Sequence, residues 1–219
     1  FYAQIDFIPS KLNFKTNYSY SFLSTQGREF TPKHYVSSWQ QSATTQLTKN
    51  ENKYYNYIWD NTLTYNDQWG KHRFGAMAGY SMRQEQWRMF EGKASNVPDG
   101  ADEYWYIKNG DAAGATVKDD GYCYRGISYF ARLNYNYADK YLLMLTMRAD
   151  GSSKFVKDNR WGYFPSVAAG WRVSEEAFLK DRVQWLSNLK LRGSWGQIGN
   201  DKIGNDKYRA LANISPSYD

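Results

Sequence analysis

Apolar and polar residues alternate with period two along most of this chain, and that pattern limits the fold more than any other feature. In LNFKTNYSYSF, Leu12, Phe14, Tyr18, Tyr20 and Phe22 fall on one side, with Thr16 interrupting them, and Asn13, Lys15, Asn17, Ser19 and Ser21 fall on the other. Successive side chains of a β-strand point to opposite faces, so the segment reads as a strand with one apolar and one wet face. YYNYIWDNTLTY sets Tyr55, Tyr57, Trp59, Leu63 and Tyr65 against Asn56, Asp60, Thr62 and Thr64, with Ile58 and Asn61 as exceptions. HRFGAMAGYSM sets Phe74, Ala76, Ala78, Tyr80 and Met82 against Arg73, Gly75, Gly79 and Ser81.

The second half repeats the theme. SYFARLNYNY sets Tyr129, Ala131, Leu133, Tyr135 and Tyr137 against Ser128, Arg132, Asn134 and Asn136, with Phe130 the lone apolar residue on the wet side. YLLMLTMR sets Tyr141, Leu143, Leu145 and Met147 against Thr146 and Arg148, less cleanly at Leu142 and Met144. WGYFPSVAAGWRV and LKLRGSWG continue it, with Gly162, Ser166, Gly170, Arg172, Lys190, Arg192 and Ser194 on the wet side. With FYAQIDF at the start, eight strands are predicted and almost no helix. The best helical candidate is SEEAFL, Ser174 to Leu179, with Ser174 as N-cap.

The predicted connections alternate in length. Short ones lie near Pro9-Ser10, Asp67 to Lys71 and Ala138 to Lys140. Long ones run over 26–53, 91–121 and everything after Gln197, with Asp150 to Arg160 a shorter member of that set. Successive antiparallel strands send alternate connections to opposite ends, so the long ones gather at one end. The Ser174 to Gln184 link joins the short-turn end as its longest member.

Strands of about ten residues, short turns at one end and long polar loops at the other describe an outer-membrane β-barrel. Aromatic residues are 18% of the chain, with nine Trp and 20 Tyr. Rings with one polar end suit a wet boundary, and Trp161, Tyr163 and Trp171 fall near strand ends as an interfacial girdle requires. The wet faces carry Gly, Ser, Asn and Arg rather than the Glu and Lys of a soluble surface. A soluble antiparallel sandwich also alternates and stays open as a second reading. Apolar runs such as YLLML are too short for a transmembrane helix of about 20 residues.

The 219 residues carry a formal net charge of +6, but the cations are scattered, so nucleic-acid binding is not expected. One cysteine, Cys123, and two histidines, His34 and His72, leave no internal disulfide and make a zinc site a poor reading; no cofactor is expected. The chain starts FYAQIDF without an initiator Met and ends SPSYD, which reads as a piece of something longer.

Three stretches invite a chemical reading. RADGSSKF, Arg148 to Phe155, offers an acid and two serines, but no histidine stands near in sequence and the G-x-S-x-G pattern is absent, so it reads as a turn where the strand of Arg148 leaves the sheet. GNDKIGNDK offers Asn200, Asp201, Asn205 and Asp206 as weak calcium ligands, without the spacing or closing Glu of an EF-hand loop. Glu175-Glu176 fits a helix first turn better than a catalytic carboxylate pair. No enzyme constellation is present. Arg132, Asn134, Arg148, Arg172, Lys190 and Arg192 share the wet side and are candidates to line a lumen favouring anionic or hydroxyl-rich solutes; the alternative is that the arginines only pair with acids across the barrel.

ARLNYNYADKYLL, RADGSSKF, NRWGYFPSVAAGWRVSEEAFL and LSNLKLRGSWGQIGND, in that order over Ser128 to Gly204, closely resemble the barrel of SusC/RagA-type TonB-dependent transporters of Bacteroidetes. TLTYNDQWGKHRFGAMAGYS is similar to an earlier part of that barrel. The resemblance implies an all-β fold, an antiparallel transmembrane β-barrel segment forming about eight strands of a larger barrel of about 22. It implies import of glycans or peptides across the bacterial outer membrane, energised through TonB, with a SusD-like surface lipoprotein as lid. On this expectation 1–219 is part of the barrel domain, and the plug and TonB box lie outside it. A small passive outer-membrane barrel and a soluble sugar-binding sandwich are the alternatives.

Overall fold

The computed structural model describes residues 1–180, 185 and 188–200. All eight alternating segments are strands: β1 (Tyr2–Ile8), β2 (Leu12–Thr31), β5 (Gln46–Trp69), β6 (His72–Ser95), β7 (Thr116–Tyr137), β8 (Tyr141–Ser152), β9 (Trp161–Arg172) and β10 (Lys190–Gly196). They form one sheet in the order β1-β2-β5-β6-β7-β8-β9-β10, so chain neighbours are sheet neighbours. Between β2 and β5, β3 (His34–Ser37) and β4 (Gln40–Ser42) make a separate two-stranded hairpin.

The short connections follow from local backbone chemistry. Between β7 and β8, Ala138 and Asp139 have φ of 54° and 57°, and the Lys140 N–H donates to the Tyr137 carbonyl at 2.9 Å. Two left-handed central residues make the primed turn whose twist matches that of paired strands. Gly70, at φ 57°, supplies the same freedom between β5 and β6.

Three expectations need correction. Strands β2, β5, β6 and β7 have 20, 24, 24 and 22 residues, about twice the expected length. The loops expected at 26–53 and 91–121 therefore contract to 32–45 and 96–115. The added segments, such as STQGREFT and QLTKNENK, are mostly polar at both parities, with Phe30 and Leu47 the exceptions. A strand that meets no continuous apolar phase keeps its hydrogen-bond ladder without needing strict alternation.

The second correction concerns RADGSSKF. β8 continues through Asp150 and Gly151, which pair with Ser128 and Ile127 on β7 and with Gly162 and Trp161 on β9. The connection starts only at Ser153. A glycine inside a strand gives room rather than a turn there, because a Cβ on Gly151 would stand 3.1 Å from the Trp161 ring. Third, Ser174 is no N-cap. It lies inside the 3₁₀ turn Val173–Glu175 and its N–H donates to the Leu189 carbonyl at 3.2 Å, while the α-helix α1 is only Ala177–Lys180.

The described chain groups into two compact units. The first comprises Phe1–Ser19, Tyr57–Gln84 and the chain from Tyr124 onward; the second comprises Tyr20–Asn56 and Glu85–Cys123. The second unit has a small core of buried Leu47, Ala94 and Val97 packed by Phe30, Trp105 and Ile107, with the Thr45 hydroxyl donating to the Val97 carbonyl at 2.6 Å. In the first unit the apolar face of the sheet stays uncovered: Tyr129 is 51% and Leu145 40% exposed. A sandwich would bury that face against a second sheet, and none packs there among the described residues. No described helix is long and apolar enough to cross a membrane, which says nothing of crossing by strands.

Candidate functional site

Strand register assigns residues 126–137 of β7, and β8 to β10, to one of two faces. On the apolar face, Leu133 stands opposite Leu145, which stands opposite Val167, which stands opposite Trp195. This face is closed at both ends by aromatic rows. At the long-loop end Trp59, Tyr80, Tyr129 and Trp161 follow one another with ring centroids 6.3, 5.3 and 6.0 Å apart, and the Trp59 indole N–H donates to the Thr16 hydroxyl at 3.0 Å. At the short-turn end His72, Tyr137 and Tyr141 follow at 4.8 and 6.3 Å. Tyr141 and Gly151, the latter beneath Trp161, mark the two rows on β8, ten residue steps apart. At about 3.4 Å per residue and a tilt of about 45°, that is roughly 24 Å, close to the apolar band of an outer-membrane barrel.

The polar face carries all six candidates. Arg132 faces Thr146, Asn134 faces Met144, Gly170 faces Arg192, and Arg172 faces Lys190, all at the parity opposite to the aromatic rows. Four of them line two separate hollows rather than one. Asn134, Lys190 and Arg192 line a groove of about 410 Å³ floored by Leu142, Met144, Ala168 and Gly170, which explains the two apolar residues that blurred the pattern of β8. Arg172 adjoins this groove through Lys190, and Arg132 lies in the rows between the hollows.

Arg148 belongs to the larger hollow, a cleft of about 700 Å³ shared with Asp60, Ser81, Arg83, Ser128, Asp150, Asn159 and Arg160. The Arg148 Nε donates to both carboxylate oxygens of Asp150, at 2.8 and 2.7 Å, and its Nη2 donates to the Ser128 hydroxyl at 3.0 Å. The acid that neutralises it therefore sits on its own strand, not across a barrel. The Ser81 hydroxyl donates to Asp60 at 2.5 Å. The wall thus offers hydroxyls, two carboxylates and three guanidinium groups, a surface for polar solutes.

The RADGSSKF serines are engaged in local structure. Ser152 Oγ accepts from the Lys154 N–H at 3.3 Å and Ser153 Oγ accepts from the Arg125 N–H at 2.9 Å. The histidines are occupied elsewhere, His72 Nδ1 with the Tyr135 hydroxyl at 2.7 Å and His34 Nδ1 with the Pro32 carbonyl at 3.1 Å. Of the calcium candidates, Asn200 lines the larger cleft, whereas Asp201, Asn205 and Asp206 lie outside the described residues. No group of acids, histidines and cysteines suited to a metal occurs among the described residues.

The sequence reading missed Asp60, Ser81, Asn159 and Arg160 as cleft residues. Parity put Asp60 and Ser81 on wet faces, but only sheet order brings β5 and β6 beside Arg148. It also missed the work of Glu176, which ties three elements at the short-turn end. Its carboxylate accepts from the Tyr141 hydroxyl at 2.7 Å, the Trp171 indole N–H at 3.0 Å and Lys140 Nζ at 3.0 Å. These bonds, Tyr141's above all, hold its pKa down at about 2 against burial, which works the other way. Glu175 is lowered too, first by its hydrogen bond from Lys180, and Asp139 first by its bond from Asn136.

An uncovered apolar face between aromatic rows, backed by a polar face, defines the wall of a membrane β-barrel. The family described as TonB dependent receptor-like, beta-barrel matches residues 2–214, and the chain belongs to it. TonB-dependent receptor P3 of Formosa agariphila is 34% identical over 100% of this chain and 21% of its own length. TonB-dependent receptor SusC of Bacteroides thetaiotaomicron is 60% identical over 80 residues, 36% of this chain and 8% of its own. Among solved structures, the RagAB peptide transporter superposes on 93% of this chain and 22% of its own with a TM-score of 0.82 at 22% identity, a likeness of fold. The chain thus spans about a fifth or less of the length of these proteins.

Proposed function

We propose that this chain is part of the wall of a SusC-like importer in the bacterial outer membrane, taking up glycans or peptides with energy relayed from TonB. Residues 1–219 then belong to the barrel domain, and the plug and the TonB-contacting segment belong to other parts of the full-length protein. A SusD-like surface lipoprotein is its partner at the long-loop end. The apolar face meets lipid, and Arg132, Asn134, Arg148, Arg172, Lys190 and Arg192 line the passage. The polar face positions solutes and performs no covalent chemistry.

The observation that carries this proposal is the pair of aromatic rows about one hydrocarbon thickness apart on one face, with two polar hollows on the other. The alternative of a small passive pore asks the end strands to pair, whereas β1 and β10 are the two edges of the sheet. The test is uptake by cells producing the full-length protein, with and without a functional TonB. Growth on a supplied glycan or peptide that depends on both the protein and TonB is expected. Growth that persists without TonB would overturn active import, and a passive pore would take its place.

A further inference from the structure

On β5, β6 and β7 three aromatic residues stand where the wet parity calls for polar ones. Tyr54, Trp87 and Tyr122 share the strand parity of Asp60, Ser81 and Ser128, each six residues along its own strand. They also touch one another in a row, Tyr54 to Trp87 at 6.3 Å and Trp87 to Tyr122 at 5.7 Å between ring centroids, so all three lie on one face of the second unit. The outer rows account for aromatics of the other parity, such as Phe22 and Tyr55, 5.1 Å apart. A second row on the wet parity is not needed to meet lipid. It is also not core: Tyr54 is 41% exposed.

Along β5 the side chains beside this row are amides, while Glu85 on β6 and Asp120 on β7, two residues from Trp87 and Tyr122, share its parity and add carboxylates. Asn50, Asn52 and Asn56 alternate with Tyr54 along β5, and the Asn50 side chain occupies the space over Gly27. The Trp87 indole N–H donates to Asn52 Oδ1 at 3.2 Å, which fixes the indole and leaves the Asn52 amide nitrogen without a partner among the described residues. The one cation in this stretch, Lys53, has the opposite parity and pairs there with Glu51 at 3.0 Å. A row of π faces bordered by amides and carboxylate acceptors matches a ligand with apolar ring faces and many hydroxyls.

We propose that Tyr54, Trp87 and Tyr122, with Asn50 and Asn52 beside them, form a stacking platform for the pyranose rings of a neutral oligosaccharide. The axial C–H faces of a pyranose bear slight positive charge and lie well on the negative face of an aromatic ring, while its equatorial hydroxyls reach outward to amides. Three rings in file hold successive sugar units of a linear chain. The platform is distinct from the Arg148 cleft. It rests on the import proposal only for its place along a solute path, and binding is measured without energised uptake, so either can fail alone.

The test is calorimetric titration of the full-length protein in detergent with maltohexaose, cellohexaose, laminarihexaose, xylohexaose and mannohexaose, and with a tryptic peptide digest. At least one hexasaccharide is expected to bind. Trp87→Ala and Tyr54→Ala each weaken it about tenfold or more, the order expected for one lost aromatic contact with its buried area. Tyr55→Ala, on the opposite parity, leaves affinity unchanged. Heat-modifiable migration on a gel checks that each variant is folded; if Trp87→Ala does not assemble, Trp87→Phe, which keeps a ring, retains binding within a few-fold while Tyr54→Ala still loses it. The proposal is overturned if no hexasaccharide binds, if Tyr54→Ala and Trp87→Ala leave affinity unchanged, if Tyr55→Ala costs as much, or if only the peptide digest binds through Trp87.

Discussion

Single residues show how the wet face accommodates its exceptions. Phe130, apolar at a polar position, lies across Gly79 on β6, where a Cβ would collide with its ring, and under the Arg148 guanidinium 6.0 Å from the ring centroid. Gly79→Val is expected to destabilise the folded barrel by about 1–3 kcal/mol through overpacking, read as a lower urea midpoint, and adding Phe130→Ala should return part of the loss. Equal loss in the single and double variants would show that the two do not meet. Glu176 gives a pH signature. Its folded pKa, about 2, is below the ordinary 4.5, so its bonds to Tyr141, Trp171 and Lys140 add stability above pH 4.5 that is lost as pH falls from there through 2. Glu176→Gln should lower the urea midpoint at pH 7 and flatten its decline across that window; an unchanged profile would remove Glu176 from the account. Neither feature is legible from a linear pattern, because Gly79 and Phe130 sit on neighbouring strands 51 positions apart and the three donors to Glu176 come from a turn and two strands.

At the scale of elements, β8 shows what alternation settles and what it leaves open. Its apolar residues Leu143, Leu145 and Met147 face Tyr135, Leu133 and Ala131 on β7 and Ala169, Val167 and Pro165 on β9, a face readable in advance because one-sided burial in hydrocarbon enforces period two. Leu145→Arg at the middle of that face is expected to cost about 2–4 kcal/mol in lipid-reconstituted urea unfolding, whereas Thr146→Arg, one residue on, stays within about 1 kcal/mol. Equal costs would mean that β8 has no lipid side. Strand ends were harder to read than strand centres. Past the aromatic rows no hydrocarbon phase enforces period two, the alternation fades, and segments such as STQGREFT look like loop while remaining paired. The same loss of contrast hid Gly151: Asp-Gly followed by two serines is turn chemistry in isolation, and only the pairing of Gly151 with Ile127 and Trp161 keeps it in the strand.

For the whole molecule, the lipid-facing surface and the polar hollows both follow from the two faces of one sheet. The candidate residues were legible as a set because parity alone puts Arg132, Asn134, Arg148, Arg172, Lys190 and Arg192 together. That four of them divide between two hollows was not, because it depends on which strands are neighbours and on the apolar floor of Leu142 and Met144. The most direct measurement replaces each of positions 141 to 149 in turn by cysteine in the full-length protein, with Cys123→Ser, attaches a nitroxide, and compares collisions with lipid-dissolved oxygen and with a water-soluble nickel chelate. High oxygen and low nickel contact at 143, 145 and 147, alternating with the reverse at 144, 146 and 148, is the expected result. Accessibility that is uniform along β8, or that repeats with any period other than two, would contradict it.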